Sequence, residues 1–219
     1  KKTIFKFLNN SNLKKKIVNL EKIFNLLLSD SGEDELLNVT DNKILEKINN
    51  DLSYIHILDP AVGSGAFLVE MLSILSTLLF KLRTKLYGHA DLFYIKRDII
   101  KNNLYGSDID TSAIEIAKLR LWLSLIVSED KIKNIEDLPN LDFKIVNINS
   151  LIIKQPDLLD YESLKILDKL YKKYFDLKKS ISRMKIKDEI NSFVKKSSII
   201  PNLYTEFFNV FEKKGGFDI

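Results

Sequence analysis

The sequence predicts an α/β protein built on a parallel sheet, and three observations carry that prediction. Short apolar runs alternate with longer helical ones through the middle of the chain in β-α-β-α-β order, which calls for parallel strands with helices packed on the sheet faces. Only seven Gly and four Pro occur in 219 residues, too few turn formers for an all-β sandwich or barrel. A glycine-bearing turn, Asp59-Pro60-Ala61-Val62-Gly63-Ser64-Gly65, joins the first strand of the series to its first helix.

Each element has its own justification. Leu13, Ile17, Leu20, Phe24 and Leu27 recur at helical spacing, the acidic stretch 29–35 ends that run, and a shorter helix carries Ile44, Leu45 and Ile48. Tyr54-Ile55-His56-Ile57-Leu58 is a short apolar run suited to a doubly buried parallel strand. A long helix follows over 67–87, a second strand over 103–107, and a second long helix over 112–127 that Ser112 and Glu115 open as a capping box. The segment 88–101 reads as an insertion, and 143–148 as a third strand. Beyond it, Leu167, Leu170, Tyr171, Tyr174 and Leu177 share one helical face, while Lys165, Lys169, Lys172, Lys173 and Lys179 lie largely away from it. A last helix over 202–214 is stopped by Gly215, and Gly216-Phe217-Asp218-Ile219 reads as a beginning strand. The organisation is thus an N-terminal helical segment (1–50), an α/β core (51–151), a helical insertion (152–214) and the start of a further strand (215–219).

Composition excludes several chemistries. The absence of cysteine removes disulfide scaffolds, thiolate metal sites and Cys nucleophiles together, and two histidines leave little material for a His-based metal site. The apolar share of 45% supports a real core. The basic start is interrupted by Asn9-Asn10, and the longest apolar stretch, 67–80, contains Glu70 and is too short to span a bilayer, which predicts a soluble, cytoplasmic protein with no membrane partner. The net charge of +4 is uneven: +2 over 1–50, −2 over 51–151, +5 over 152–214 and −1 over the final five residues. Only four of the 34 basic residues are Arg, so the positive field is diffuse and poorly suited to bidentate base reading.

The turn after the first strand carries the chemistry. A P-loop needs Gly-Lys-Ser/Thr, but Ala66 follows Gly65; a dinucleotide fold needs a third small residue where Leu68 stands. An acid at the strand tip, Asp59, repels a pyrophosphate and favours a ligand with positive charge and hydroxyls. S-adenosylmethionine, with its sulfonium, ammonium and ribose, has that chemistry. The second signal is Tyr105-Gly106-Ser107-Asp108-Ile109-Asp110, where an acid at the next strand tip can accept ribose hydroxyls and an apolar residue can cover an adenine face. A tight turn without ligand, and a helix-capping role for Asp108, are the plainer readings.

These residues carry a resemblance. Residues 59–67 and 105–110, with Ala117-Lys118-Leu119-Arg120-Leu121-Trp122-Leu123-Ser124-Leu125, Leu138-Pro139-Asn140-Leu141-Asp142-Phe143 and Asn149-Ser150-Leu151, resemble in order the motifs of S-adenosylmethionine-dependent, amino-type DNA methyltransferases. The series is similar to the methyltransferase part of fused type IIG restriction-modification enzymes, the Eco57I-like group, over about 58–151. The resemblance implies a Rossmann-like methyltransferase fold, N6-adenine methylation of double-stranded DNA with a flipped-out base, and S-adenosylmethionine as cofactor. Carried over residue by residue, Asp59, Pro60, Ala61, Gly63 and Gly65 surround the methionine part, and Phe67 opens the helix beneath it. Asp108 holds the ribose, Ile109 covers the adenine, and Asn149, with Leu151 beside it, stands where relatives place an acid on the adenine amine.

The family's catalytic Asn/Asp-Pro-Pro-Tyr run, which follows a Gly-Phe-Asp-Ile-like strand, is absent, as are a target-recognition domain and a recognisable Tyr-Thr-Pro element. No catalytic or metal residue is therefore assigned, and the expectation is a cofactor-binding fragment inactive alone. A non-catalytic DNA- or partner-binding remnant, or a methyltransferase acting on RNA or protein, are the alternatives. Pro156-Asp157 with Glu212-Lys213-Lys214 only loosely resembles a nuclease metal site, and Ser64 lacks the glycines of a nucleophile elbow. His56 and Trp122 read as core residues, and the lysines of 165–196 as either a solvated face or a DNA path.

Overall fold

A computed structural model describes residues 4, 6, 41–127, 140–152, 158–177, 180–197 and 200–219. Helix α1 (Asn42–Ser53) leads into β1 (Ile57–Asp59), α2 (Ala66–Tyr87), α3 (Leu92–Asn102), β2 (Leu104–Asp108), α4 (Thr111–Ile126) and β3 (Ile145–Asn147). Then come α5 (Leu158–Asp176), α6 (Ser180–Lys196), α7 (Leu203–Glu206) and α8 (Phe208–Lys214). The helix expected over 13–27 lies outside the described residues.

The sheet is parallel in the order β1-β2-β3, with Asp59 opposite Gly106 and Asp108 opposite Asn147. Because side chains alternate along a strand, each strand feeds two cores. Ile57, Leu104 and Ile145 face a cluster made with α2, α3 and α4, while Tyr105 and Val146 face Phe207 and Val210 on the other side. Leu45, Ile48 and Leu52 of α1 join the first cluster, so this helix crosses the expected boundary at residue 50 and belongs to the α/β core.

The last residues extend the sheet past β1. The Ile219 N–H and Asp218 N–H donate to the His56 carbonyl (3.3 and 2.9 Å), and the Leu58 N–H donates to the Ile219 carbonyl (2.8 Å). This is a parallel-bridge pattern, on the edge opposite β2. The Asp218 carboxylate also accepts the His56 N–H at 2.8 Å. His56 therefore differs from the expected core residue: β1 begins after it, and its ring Nδ1 has no hydrogen-bond partner. Burial, with Lys214 and Lys144 nearby, pushes the imidazole down to about 4 and keeps it neutral.

Three other elements depart from expectation. Segment 88–101 is mostly helix α3, whose first turn is capped by Asp91 accepting the Phe93 and Tyr94 N–H groups. Helix α4 is capped by Asp110, which accepts the Ser112 N–H at 2.8 Å, rather than by Ser112, because the helix starts at Thr111. The expected 202–214 helix is broken at Phe207 into α7 and α8. The break lets consecutive rings part: Phe207 enters the cluster under the sheet and Phe208 enters the one formed by α5 and α6. Gly215 stops α8 in a left-handed conformation, as expected.

The α5/α6 pair has its own small core, with Leu164, Leu167, Tyr174, Ile186 and Ile190. Asp142 ties it to the sheet by accepting from the Tyr174 hydroxyl (2.6 Å) and Lys187 Nζ (2.9 Å), with Lys118 of α4 at 3.9 Å. Burial alone raises this carboxyl; the bonds from Tyr174 and Lys187 outweigh it and hold the group below its ordinary range.

Glu206 and Lys144 line a cavity of about 250 Å³ between the sheet and α5. Burial raises Glu206 from 4.5 to about 7 and lowers Lys144 from 10.5 to about 7. Lys144 Nζ lies 3.6 Å from the centre of the Tyr105 ring. Between pH 4.5 and 7 the folded chain keeps a proton on Glu206 that the unfolded chain has lost, so this contribution to stability falls as pH rises. Between pH 7 and 10.5 the unfolded chain binds the extra proton on Lys144, so that contribution rises. Because neutral His56 contributes the opposite slope below pH 6.5, Glu206→Gln is expected to make melting temperature climb more steeply with pH than wild type between 4.5 and 7 and to leave the alkaline rise intact. Thermal melts at stepped pH check this, and an unchanged acidic limb refutes it.

Candidate functional site at the carboxyl edge of the sheet

The two motifs singled out in the sequence meet at the carboxyl ends of β1 and β2, where open α/β sheets bind ligands. Asp59 ends β1 half-buried, with Oδ1 accepting the Ala61 N–H at 3.2 Å. Burial raises its carboxyl, and the neighbouring charge of Asp108 adds to the rise. Asp108 ends β2 and behaves oppositely. Its Oδ1 accepts the Asp110 N–H (3.0 Å) and its Oδ2 the Gly63 N–H (2.8 Å), and these bonds hold it below the ordinary carboxylate range. Each oxygen keeps a further lone pair for a ligand hydroxyl.

The glycines divide their work. Gly63 adopts φ +50°, and the position its side chain would take opens onto free space. Gly65 adopts φ +80° as the N-cap of α2, and a Cβ there would stand 3.1 Å from both Cα and Cβ of Ala117 on α4. Gly65 thus serves close helix approach as well as the turn, and its packing partner belongs to the third motif of the sequence. The loop is stitched to β2 by the Val62 N–H donating to the Ser107 carbonyl at 2.9 Å.

The remaining sequence candidates surround this edge. Pro60 and Ala61 are exposed on the loop, and Phe67 is 41% exposed in the first turn of α2. Ile109 is 75% and Leu151 88% exposed, so both present bare apolar surface. Asn149 is exposed past β3, with its Oδ1 turned back to accept the Leu151 N–H at 3.0 Å. Ser107, Asn147 and Ser150 bond within the site, and the sequence assigned none of them a role, although Ser107 and Ser150 lie inside quoted motifs. Their only further signal was a polar residue at or near the end of a buried strand. Among the described residues no acidic or histidine cluster could hold a metal ion, and Glu212 accepts from the Tyr161 hydroxyl at 2.7 Å. Residues Pro156 and Asp157 lie outside the described set. No helix among the described residues is long and apolar enough to cross a membrane.

The Gly65–Ala117 contact makes a direct test. Gly65→Ala forces both a left-handed backbone and a collision, an expected loss of about 1–3 kcal/mol in urea unfolding. Adding Ala117→Gly is expected to recover part of that loss; a double variant as unstable as the single one removes the contact from the explanation.

Over 127 residues, 54% of this chain, the sequence is 45% identical to a proposed type II restriction enzyme and methyltransferase of Methanocaldococcus jannaschii. The matched part is 11% of that relative, so the chain corresponds to a small portion of it. No solved structure matches the chain. Residues 35–169 match the family described as the MmeI DNA-methyltransferase domain. That span takes in more than half of the chain, including the glycine loop and all three strand tips, and the chain belongs to the MmeI DNA-methyltransferase domain family.

Proposed function

We propose that this chain is the S-adenosylmethionine-binding part of a DNA methyltransferase from a type II restriction-modification system, in a type IIG arrangement, acting on the N6 amine of adenine in double-stranded DNA. The observation that carries the reading is the 2.8 Å bond from the Gly63 N–H to Asp108, which joins the glycine loop and the second acidic tip into one site. The reading is also supported by the residues beyond β1, which put β1 inside the sheet and make its carboxyl end a point where the strand order reverses, as in Rossmann-like folds.

The donor set fits the cofactor. S-adenosylmethionine supplies an electrophilic methyl group on a positively charged sulfur. Asp59 offers a carboxylate to that positive end, and Pro60, Ala61 and Gly63 border it. Asp108 accepts the ribose hydroxyls through its free lone pairs. Ile109 and Leu151 cover the adenine faces, Asn149 contacts its amine, and Phe67 backs the pocket from α2. Bound there, the cofactor would supply a methyl group to the target amine, with the residues named above holding and orienting it. The four prolines stand apart in this sequence, so these 219 residues hold no Asn/Asp-Pro-Pro-Tyr run to receive the target amine, and the reading assigns them cofactor binding rather than catalysis. The +5 charge of 152–214 supports a role for the helical pair in lining the DNA backbone.

Asp108→Ala is expected to weaken S-adenosylmethionine binding more than tenfold in calorimetry, at least 1.4 kcal/mol. A folded wild-type chain that gives no binding heat overturns the cofactor assignment. Because a bound cation restores the charge on Asp59, affinity is expected to fall on acidification from above the ordinary carboxylate range, and Asp59→Asn is expected to flatten that pH dependence. Mass-spectrometric detection of N6-methyladenine in DNA treated with the full-length protein tests the base assignment; methylcytosine alone rejects it.

A further inference from the structure

The tips of β2 and β3 are tied by two side chains to which the sequence motifs assign no role. Asn147 ends β3, and its side-chain amide donates to two consecutive carbonyls, of Asp108 (3.0 Å) and Ile109 (2.9 Å). These carbonyls belong to the peptides leaving β2. Holding both fixes the direction of the chain just where Asp108 turns its carboxylate inward and Ile109 stands 75% exposed. The Ile148 N–H adds a third bond to the Asp108 carbonyl at 3.0 Å.

Ser150 works on the other side. Its hydroxyl lies 2.7 Å from the Pro60 carbonyl and 2.7 Å from the Ser107 hydroxyl. A serine has one hydroxyl hydrogen. The Pro60 carbonyl can only accept, so Ser150 donates there and Ser107 donates to Ser150. The relay runs from the buried Ser107 in β2, through the loop after β3, to the glycine loop after β1. Removing the Ser150 hydroxyl leaves the Pro60 carbonyl without this donor and the buried Ser107 without this acceptor.

We propose that Asn147 and Ser150 are positioning residues that divide the cofactor between them: Asn147 sets the adenosine end through Asp108 and Ile109, and Ser150 sets the methionine end through Pro60. The assignment rests on the S-adenosylmethionine reading above. Neither residue takes a chemical step; each fixes the backbone that carries the groups in contact with ligand.

The test is calorimetry on the 219-residue chain with two probes, S-adenosylmethionine and adenosine, for wild type, Asn147→Ala, Ser150→Ala and Ser150→Thr, each checked for cooperative melting. Asn147→Ala is expected to weaken both probes by a similar factor of ten or more. Ser150→Ala is expected to weaken S-adenosylmethionine about tenfold and to leave adenosine within twofold, with Ser150→Thr restoring most of the loss. Folded variants that bind both probes like wild type overturn the inference while leaving the cofactor reading in place. Variants that weaken both probes equally at both positions also overturn it, since a general loosening of the edge would then explain the effect. A wild-type chain that binds neither probe overturns the cofactor reading and this inference with it.

Discussion

Two carboxylates stand at the tips of neighbouring parallel strands, and the edge of this sheet depends on how their partial burial is compensated. Asp59 and Asp108 cannot both be held as bare anions in a partly buried corner without cost. The chain stabilises one of these anions with backbone donors. The amides of Asp110 and Gly63 point at Asp108 and hold it ionised, while burial and that neighbouring charge push Asp59 upward. The same bond that settles the charge also fixes the glycine loop against β2, so electrostatics and loop geometry here are one constraint. The result is a pair of acids whose ionisation is driven apart by their surroundings, which is how sites commonly give similar groups different tasks.

The rest of the molecule serves to keep that corner in place. One sheet face rests on α2, α3 and α4, and the other is closed by Val210 with Phe207 and Phe217, whose two rings meet Tyr105 and one another edge-on at 5.1–5.4 Å. Buried on both faces, the three short strands have little freedom to shift register, because each side chain would move to the wrong core. The helical pair is attached through Asp142, a carboxylate shared by Tyr174, Lys187 and, at longer range, Lys118. Its lysine-rich surface is thereby fixed relative to the sheet.

Much of this was legible in the residues, for identifiable reasons. The strand tips are short, use residue types with sharp conformational meaning, and stand next to buried runs, so Asp59, the glycines and Asp108 could be placed before any coordinates. Helix α3 was not, because Leu92-Phe93-Tyr94-Ile95 opens it with a continuous apolar run and its Asp91 cap resembles an ordinary loop acid. The break at Phe207 was hidden for a related reason: helical periodicity runs through it, and only the presence of two separate cores makes consecutive phenylalanines diverge. Asn147 and Ser150 were given no role because a polar residue at the end of a strand or just past it has no signature of its own, even inside a recognised motif. Its meaning comes from which carbonyl lies opposite, a property of strand order rather than of sequence.

The close approach of α2 and α4 has a consequence for how this chain can change over generations. Gly65 and Ala117 are separated by more than fifty positions, yet Cα and Cβ of Ala117 stand 3.1 Å from where a Gly65 side chain would begin. The two residues therefore occupy a single volume, and drift at either is limited by the other. A lineage can enlarge Ala117 only by moving the helix that sets the glycine loop, and with it the amide that reaches Asp108. The acidic corner is thus shielded from gradual substitution by a pair of small residues that lie outside it.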